Sequence, residues 1–168
     1  YYRSNITYRN KHISLGSFEN EFDAHQAYTT AAAILKSHDS VEDSYYHTYA
    51  ISFDKLVSLI NFRDNGMYIP NPIYLRKNYF SYYLDISHEL KFDIDDLFFY
   101  SGHRILKRQG HLYVNDYGMQ VTILSRYGIQ PHAVCDRDYV FKNGDPTDMR
   151  YSNIEVLNPY HGVTVVKT

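Results

Sequence analysis

Residues 136–158 read DRDYVFKNGDPTDMRYSNIEVLN, and this stretch decides how the rest of the chain is interpreted. The β-prone residues 139–141 precede a Lys-Asn-Gly-Asp turn, in which Asn and Gly both tolerate a positive φ angle. A polar loop with Asp148, Arg150 and Asn153 follows, and an apolar run closes the segment. The pattern predicts a strand, a tight turn and a loop that gathers oxygen-bearing side chains.

This segment resembles the ββα-metal core of the phage-type HNH endonucleases. In that family's Asp-His-x-Asn-Gly-Asp pattern, the Asp and His before the turn supply a metal ligand and a general base. The corresponding residues here are Val140 and Phe141, which can neither bind a metal ion nor accept a proton. The resemblance therefore implies a degenerate HNH-like frame with no catalytic residue and no metal ion. The residues that it assigns to the structural turn and loop are Asn143, Gly144, Arg150 and Asn153.

An active metal-dependent DNA endonuclease is the alternative that the same residues leave open. In a strand, Asp138 lies on the same face as Val140, so a slipped register or a bulge would bring it into the site. Catalysis would then use Asp138, Asp145 and Asn153, whose oxygens suit Mg or Mn as a cofactor. A protein-binding inhibitor or scaffold is a further alternative.

The N-terminal residues predict a small sheet and one helix. Two short β-prone segments flank a turn at Arg9-Asn10, and Gly16 is predicted to end the second segment. Asn20 is the predicted N-cap of a helix over about residues 21–36, because apolar residues then recur at helical spacing.

Residues 1–36 also resemble the Apetala-two/ethylene-response-factor DNA-binding domain, through Tyr-Arg-Ser-x-Ile, Leu-Gly-Ser-Phe and Ala-His-Gln-Ala-Tyr. That resemblance implies a three-stranded sheet packed on a helix, with sheet residues in the major groove of double-stranded DNA. Tyr2 replaces the family's Trp, and the family's first strand has no counterpart at the N-terminus. Residues 161–168 resemble that strand, and either complete the N-terminal sheet or begin a second copy. The predicted DNA-binding residues of this module are Arg3, Asn5, Arg9, Lys11 and His12.

Residues 37–72 are interpreted as a polar linker followed by a helix over 51–62 with Ser52 as its cap. Residues 73–160 are interpreted as the HNH-like domain. It is predicted to contain strands at 73–75 and 79–84, a short helix within 93–100, and a hairpin of 107–114 with 120–124. The basic residues before and in this hairpin are either a solvated face or phosphate contacts. They are Arg104, Lys107 and Arg108.

Composition limits the function further. The net charge of −2 means that any contact with nucleic acid must come from local patches. A single Cys135 excludes an internal disulfide, and no run approaches the roughly 18 apolar residues of a membrane span. With no signal pattern at the N-terminus, we expect a cytoplasmic protein without a membrane partner. Aromatic residues on both faces of 79–83 suggest a homodimer.

The sequence thus predicts an α+β protein that joins a small sheet-and-helix module to an HNH-like domain. The expected function is sequence-specific binding of double-stranded DNA by a transcriptional regulator of phage or mobile-element origin. No catalysis and no cofactor are expected.

Overall fold

The two β-prone segments at the N-terminus form an antiparallel hairpin. A computed structural model describes residues 1–160, and the predicted role of 161–168 lies outside the described residues. Strands β1 (Tyr2–Tyr8) and β2 (Lys11–Phe18) pair around Arg9 and Asn10, which both have positive φ angles as the predicted turn requires. The described chain combines three α-helices with several small antiparallel sheets, so the predicted α+β class is confirmed.

The prediction that Gly16 ends the second segment was wrong. β2 continues to Phe18, because the register shifts between Ser4 and Asn5 and lets the strand pass through a bulge. Gly16 lies in this bulge with a φ of +120°, a conformation that residues with a Cβ rarely adopt.

Helix α1 (Glu21–Lys36) matches the prediction at both ends. The Asp23 N–H donates to Asn20 Oδ1 at 2.8 Å, which satisfies one of the free donors of the first turn. Ala24, Ala27 and Ala31 are buried, and their small side chains let α1 pack on β1 and β2.

Helix α2 (Phe53–Asn65) begins after the predicted Ser52 cap but ends three residues later than predicted. Gly66 ends it in a left-handed conformation, with its N–H donated to Phe62 O at 3.0 Å. The polar residue Arg63 remains helical because it is buried and donates to Ile34 O at 3.0 Å and to Asp39 O at 2.6 Å. The predicted linker before α2 contains a 3₁₀ turn at Tyr45–Tyr49.

The chain divides into two compact units. The first comprises Tyr1–Leu75 together with Asp85–Ser87. The last residues of its long segment form strand β3 (Ile73–Leu75). The second comprises Arg76–Leu84 and the chain from His88 onward.

Strand β4 (Tyr79–Asp85) lies in the second unit except for Asp85, and with β5 (His88–Asp93) and α3 (Leu97–Ser101) it builds an aromatic core. The rings of Phe80 and Phe92 stack at 5.5 Å, and that of Tyr100 lies 4.2 Å from Phe92. Tyr82 and Tyr83 are buried within the chain as well, so the aromatic run offers no broad exposed face to a second copy. The homodimer remains a prediction, but the aromatic residues of 79–83 do not support it.

The predicted hairpin of 107–114 with 120–124 is a three-stranded sheet instead. Its strands are β6 (Leu106–Arg108), β7 (His111–Asp116) and β8 (Met119–Thr122). Gln109 and Gly110 both have positive φ angles and form a two-residue turn that splits the expected first strand. The last strands, β9 (Tyr139–Phe141) and β10 (Ile154–Val156), pair antiparallel. None of the helices in residues 1–160 is long and apolar enough to span a bilayer.

The Ser52 cap gives a direct test of how α2 is held. Ser52→Ala should lower the free energy of unfolding by about 1 kcal/mol, because the Lys55 N–H loses its acceptor. Ser52→Asp keeps an acceptor and places a negative charge at the positive end of the helix, so it should retain the wild-type value. Urea denaturation followed by far-UV circular dichroism measures both. Equal values for wild type and Ser52→Ala would contradict the assigned cap.

Candidate functional site

The segment 136–158 forms a strand, a turn, a loop and a second strand. The Gly144 N–H donates to Phe141 O at 2.8 Å, and Gly144 has a φ of +77°. The Lys142 N–H donates to Asn153 O at 2.7 Å, so the loop closes on itself before β10. Within the described residues no α-helix follows β10, since the chain enters a turn and 160 is the last residue described.

Asp148 lies at the centre of the loop, with a side chain that is 1% exposed. Its Oδ1 accepts a hydrogen bond from Arg150 Nε at 2.8 Å, and its Oδ2 accepts one from Arg150 Nη2 at 2.7 Å. Asn143 Nδ2 donates to the same Oδ2 at 2.9 Å. Hydrogen bonds from the guanidinium hold the pKa of the Asp148 carboxyl below its usual range. The carboxylate is thus a fixed structural anion.

Asn153 joins the two ends of the loop. Its Oδ1 accepts from the Asn143 N–H at 2.9 Å, and its Nδ2 donates to Asp148 O at 3.0 Å. Asp145 is also used locally, because its Oδ1 accepts from the N–H and the hydroxyl of Thr147 at 2.9 and 2.6 Å. Asn153 and Asp145, two of the three residues of the alternative catalytic set, therefore have bonds that shape the loop.

Asp138 occupies a separate position at the start of β9. Its Oδ2 accepts from Arg137 at 2.9 Å and from the Val134 N–H at 2.8 Å, and Asn158 Nδ2 donates to its Oδ1 at 3.2 Å. The hydrogen bond from Arg137 is the main reason why the pKa of Asp138 is far below its ordinary value. A general base that works at neutral pH needs a pKa near 7, so Asp138 is poorly suited to that role.

The described residues contain no group of three or more His, Cys, Asp and Glu side chains that could hold a metal ion. Phe141, which can neither bind a metal ion nor accept a proton, is buried.

On the N-terminal sheet, the structure separates the five predicted donors into two groups. Arg3, Asn5 and His12 are exposed and alternate with buried residues, so they lie on the face directed away from α1. Arg9 donates instead to Phe62 O at 3.3 Å, and Lys11 Nζ lies 5.5 Å from the centre of the Tyr68 ring. The sequence contained a signal for Lys11, because it has the same parity as the buried Ile13 and Leu15.

The predicted basic residues of the second unit are all exposed. Arg104 precedes β6, and Lys107 and Arg108 lie in it. In the register of the sheet, Lys107 is opposite Leu112 and Arg108 is opposite His111.

Sequence reasoning missed an apolar cleft beside this hairpin. Its walls come from 110–112, 122–124 and 139–149, which the fold brings together. No periodicity within any one of these segments indicates a cleft.

Comparison of the chain with protein-family models, curated proteins and solved structures found no match.

Replacing the buried carboxylate tests the loop. Asp148→Asn weakens charge-assisted hydrogen bonds and should lower the free energy of unfolding at pH 7 by about 1–3 kcal/mol. Because the pKa of Asp148 is lowered by folding, its stabilisation is present above the unfolded-state pKa and is lost as the pH falls through the folded-state pKa. From about pH 5 to about pH 2 the variant should therefore lose less stability than wild type. Urea titrations at several pH values measure this.

The control for this test is Asp136→Asn, which changes an exposed residue with a positive φ angle that Asn tolerates. Its free energy of unfolding should change with pH as that of wild type does. Parallel curves for wild type and Asp148→Asn would contradict the structural role of the carboxylate.

Proposed function

We propose that this chain binds double-stranded DNA in a sequence-specific manner and acts as a transcriptional regulator of phage or mobile-element type. Its second unit would be an HNH-like frame that does not cleave DNA. The observation that carries the proposal is the outer face of the β1–β2 ribbon, on which Arg3, Asn5 and His12 are exposed.

The cross-strand pairs of this face support direct reading of bases. Arg3 lies opposite Ser17 and Asn5 opposite Ser14, so each long polar side chain has a small neighbour across the ribbon. Thr7 pairs with His12 through a bond of 2.8 Å between Oγ1 and Nδ1. Arg can contact the O6 and N7 atoms of guanine, Asn can contact the N6 and N7 atoms of adenine, and a two-stranded ribbon fits the major groove.

The second unit supports binding without turnover. The positions of the family's metal ligand and base hold Val140 and Phe141, and the nearby carboxylates are engaged elsewhere. Asp138 is paired with Arg137 and Asp148 with Arg150, at 2.9 and 2.7 Å. An anion that is already fixed by a guanidinium is a weak base and an unfavourable metal ligand.

Removal of Arg3 tests the ribbon. A preferred duplex is first selected from a random-sequence library, and Arg3→Ala should then bind it about 1–3 kcal/mol more weakly in a gel shift. Lys36→Ala is the matched control, because it removes one positive charge at an exposed residue in the last turn of α1. It should bind as wild type does. Equal affinities of Arg3→Ala and wild type for the selected duplex would contradict the proposed contact between Arg3 and a base.

Incubation with supercoiled plasmid and Mg²⁺ or Mn²⁺ tests the absence of turnover. We expect the plasmid to remain supercoiled, because no side chain at positions 140 and 141 can bind the metal ion or accept the proton. A known metal-dependent nuclease run in parallel verifies the assay. Nicking that requires the metal ion and disappears in Asp145→Ala would favour the endonuclease instead.

A further inference from the structure

Two lysines from different elements lie beside the ring of Tyr68. Lys11 is the first residue of β2, and its Nζ is 5.5 Å from the centre of this ring. Lys55 lies in the first turn of α2, and its Nζ is 5.4 Å from the same centre. Lys55 Nζ also donates to Tyr68 Oη at 2.6 Å. The fold therefore brings two ammonium groups to one aromatic side chain.

The turn of the β1–β2 hairpin is attached to α2 next to this lysine pair. Arg9 Nη1 donates to Phe62 O at 3.3 Å. The ring of Phe62 makes edge contacts with those of Tyr8 and Tyr68, at 5.6 and 5.9 Å between centres. All of these residues belong to the first unit. The contacts hold the start of β2 against α2, so the two lysines are parts of one framework.

The lysine pair has no counter-ion of its own. In residues 1–160, neither Lys11 nor Lys55 makes an ion pair with a carboxylate, and this includes Asp54, the neighbour of Lys55 in the chain. The first turn of a helix is also an unfavourable place for a cation, because the peptide dipoles are positive there. In a chain of net charge −2, two uncompensated cations side by side cost stability and suit an anionic ligand.

The groups around Tyr68 offer several hydrogen-bond donors. Lys55 uses one of its three N–H groups on Tyr68 Oη, which leaves two. The Tyr68 hydroxyl accepts that bond, so its own hydrogen can be donated. Lys11 is exposed and has a further three N–H groups. A phosphate group has charged oxygens that accept from several donors at once, and it is complementary to this set.

The lysine pair lies at the turn end of the ribbon that the proposed function places on DNA. Tyr8 and Lys11 form the last cross-strand pair, next to the pair of Thr7 and His12 on the outer face. The major groove is about 12 Å wide, so residues at the end of an inserted ribbon come close to the sugar–phosphate backbone along its edge. A backbone phosphate is therefore the anion that a duplex on this ribbon would bring to the two lysines.

We infer that Lys11, Lys55 and Tyr68 bind one phosphate of the DNA backbone and so fix the position of the ribbon in the groove. This inference rests on the proposed DNA-binding function and deepens it, because it names a contact that positions the protein without reading sequence. The two ammonium groups neutralise the phosphate, and the Tyr68 hydroxyl donates to one of its oxygens. Sequence reasoning did not identify Lys55 or Tyr68, since they come close to β2 only in the fold.

The test combines lysine variants with duplexes that lack a single phosphate charge. Each phosphate of the selected duplex is replaced in turn by an uncharged methylphosphonate, and affinities are measured in gel shifts at low salt. At one position the replacement should weaken wild-type binding about tenfold, as expected for the loss of a hydrogen bond to a charged group. Lys11→Gln and Lys55→Gln should each bind the unmodified duplex about tenfold more weakly and lose little further affinity at that position.

Three further measurements separate a phosphate contact from other roles. The fold loss in the lysine variants should be the same for duplexes of unrelated sequence, because a phosphate contact does not read bases. The double variant Lys11→Gln/Lys55→Gln should reduce the slope of log affinity against log salt concentration by about one. Tyr68→Phe keeps the ring, removes the hydroxyl and should lower the affinity severalfold.

Lys36→Gln is the matched control, because it removes the same charge at an exposed residue of α1. It should keep the wild-type affinity at every methylphosphonate position. Circular dichroism verifies that each variant folds. If Lys55→Gln fails to fold, Lys11→Gln decides the test, because it changes an exposed side chain.

Wild-type affinity in both lysine variants, with DNA binding intact, would overturn the inference but not the proposed function. Binding of no duplex by wild type at low salt would overturn both. A loss confined to the selected duplex would make the lysines base contacts and also overturn the inference. So would a melting temperature that inorganic phosphate raises in wild type but not in Lys55→Gln, with DNA affinity unchanged, because the site would then bind free phosphate.

Discussion

The second unit depends on the buried carboxylate of Asp148. Its two hydrogen bonds from Arg150 and its hydrogen bond from Asn143 fix a loop that has little regular structure of its own. The fixed loop then runs beside β5, where the Lys91 N–H donates to Thr147 O at 3.0 Å and the Met149 N–H donates to Lys91 O at 2.7 Å. These two backbone hydrogen bonds attach the loop, which the ion pair holds in shape, to the strand that carries the aromatic core. A buried charge would be costly without such partners.

The other polar side chains of this segment are also engaged in hydrogen bonds. Asn153 and Asp145 have the oxygen atoms that a cation prefers, yet these atoms close the loop and its turn. Asp138 is held at the start of β9 by a neighbouring guanidinium and a backbone N–H. These bonds hold the segment in one geometry, and Tyr139 and Phe141 of β9 are buried.

Local signals predicted the parts of the fold that local physics determines. Helix α1 was predicted at both ends, because a capping Asn20 precedes a regular series of small apolar residues. The end of α2 was missed because a charged residue, Arg63, was not expected on a buried helix face, and its acceptors Ile34 O and Asp39 O are brought near by the fold. At the candidate site, the turn and polar loop could be predicted. The bond of Asn158 to Asp138 and the cleft could not, since they join segments that are far apart in sequence.

The bulge in β1–β2 has a mechanical consequence. An extra residue in one strand increases the right-handed coiling of an antiparallel pair and bends it. Such a ribbon is a poor template for the flat, edge-to-edge stacking that leads exposed strands into aggregates. Gly16, through its unusual backbone angle, thus sets the curvature of the surface to which Arg3 and Asn5 belong.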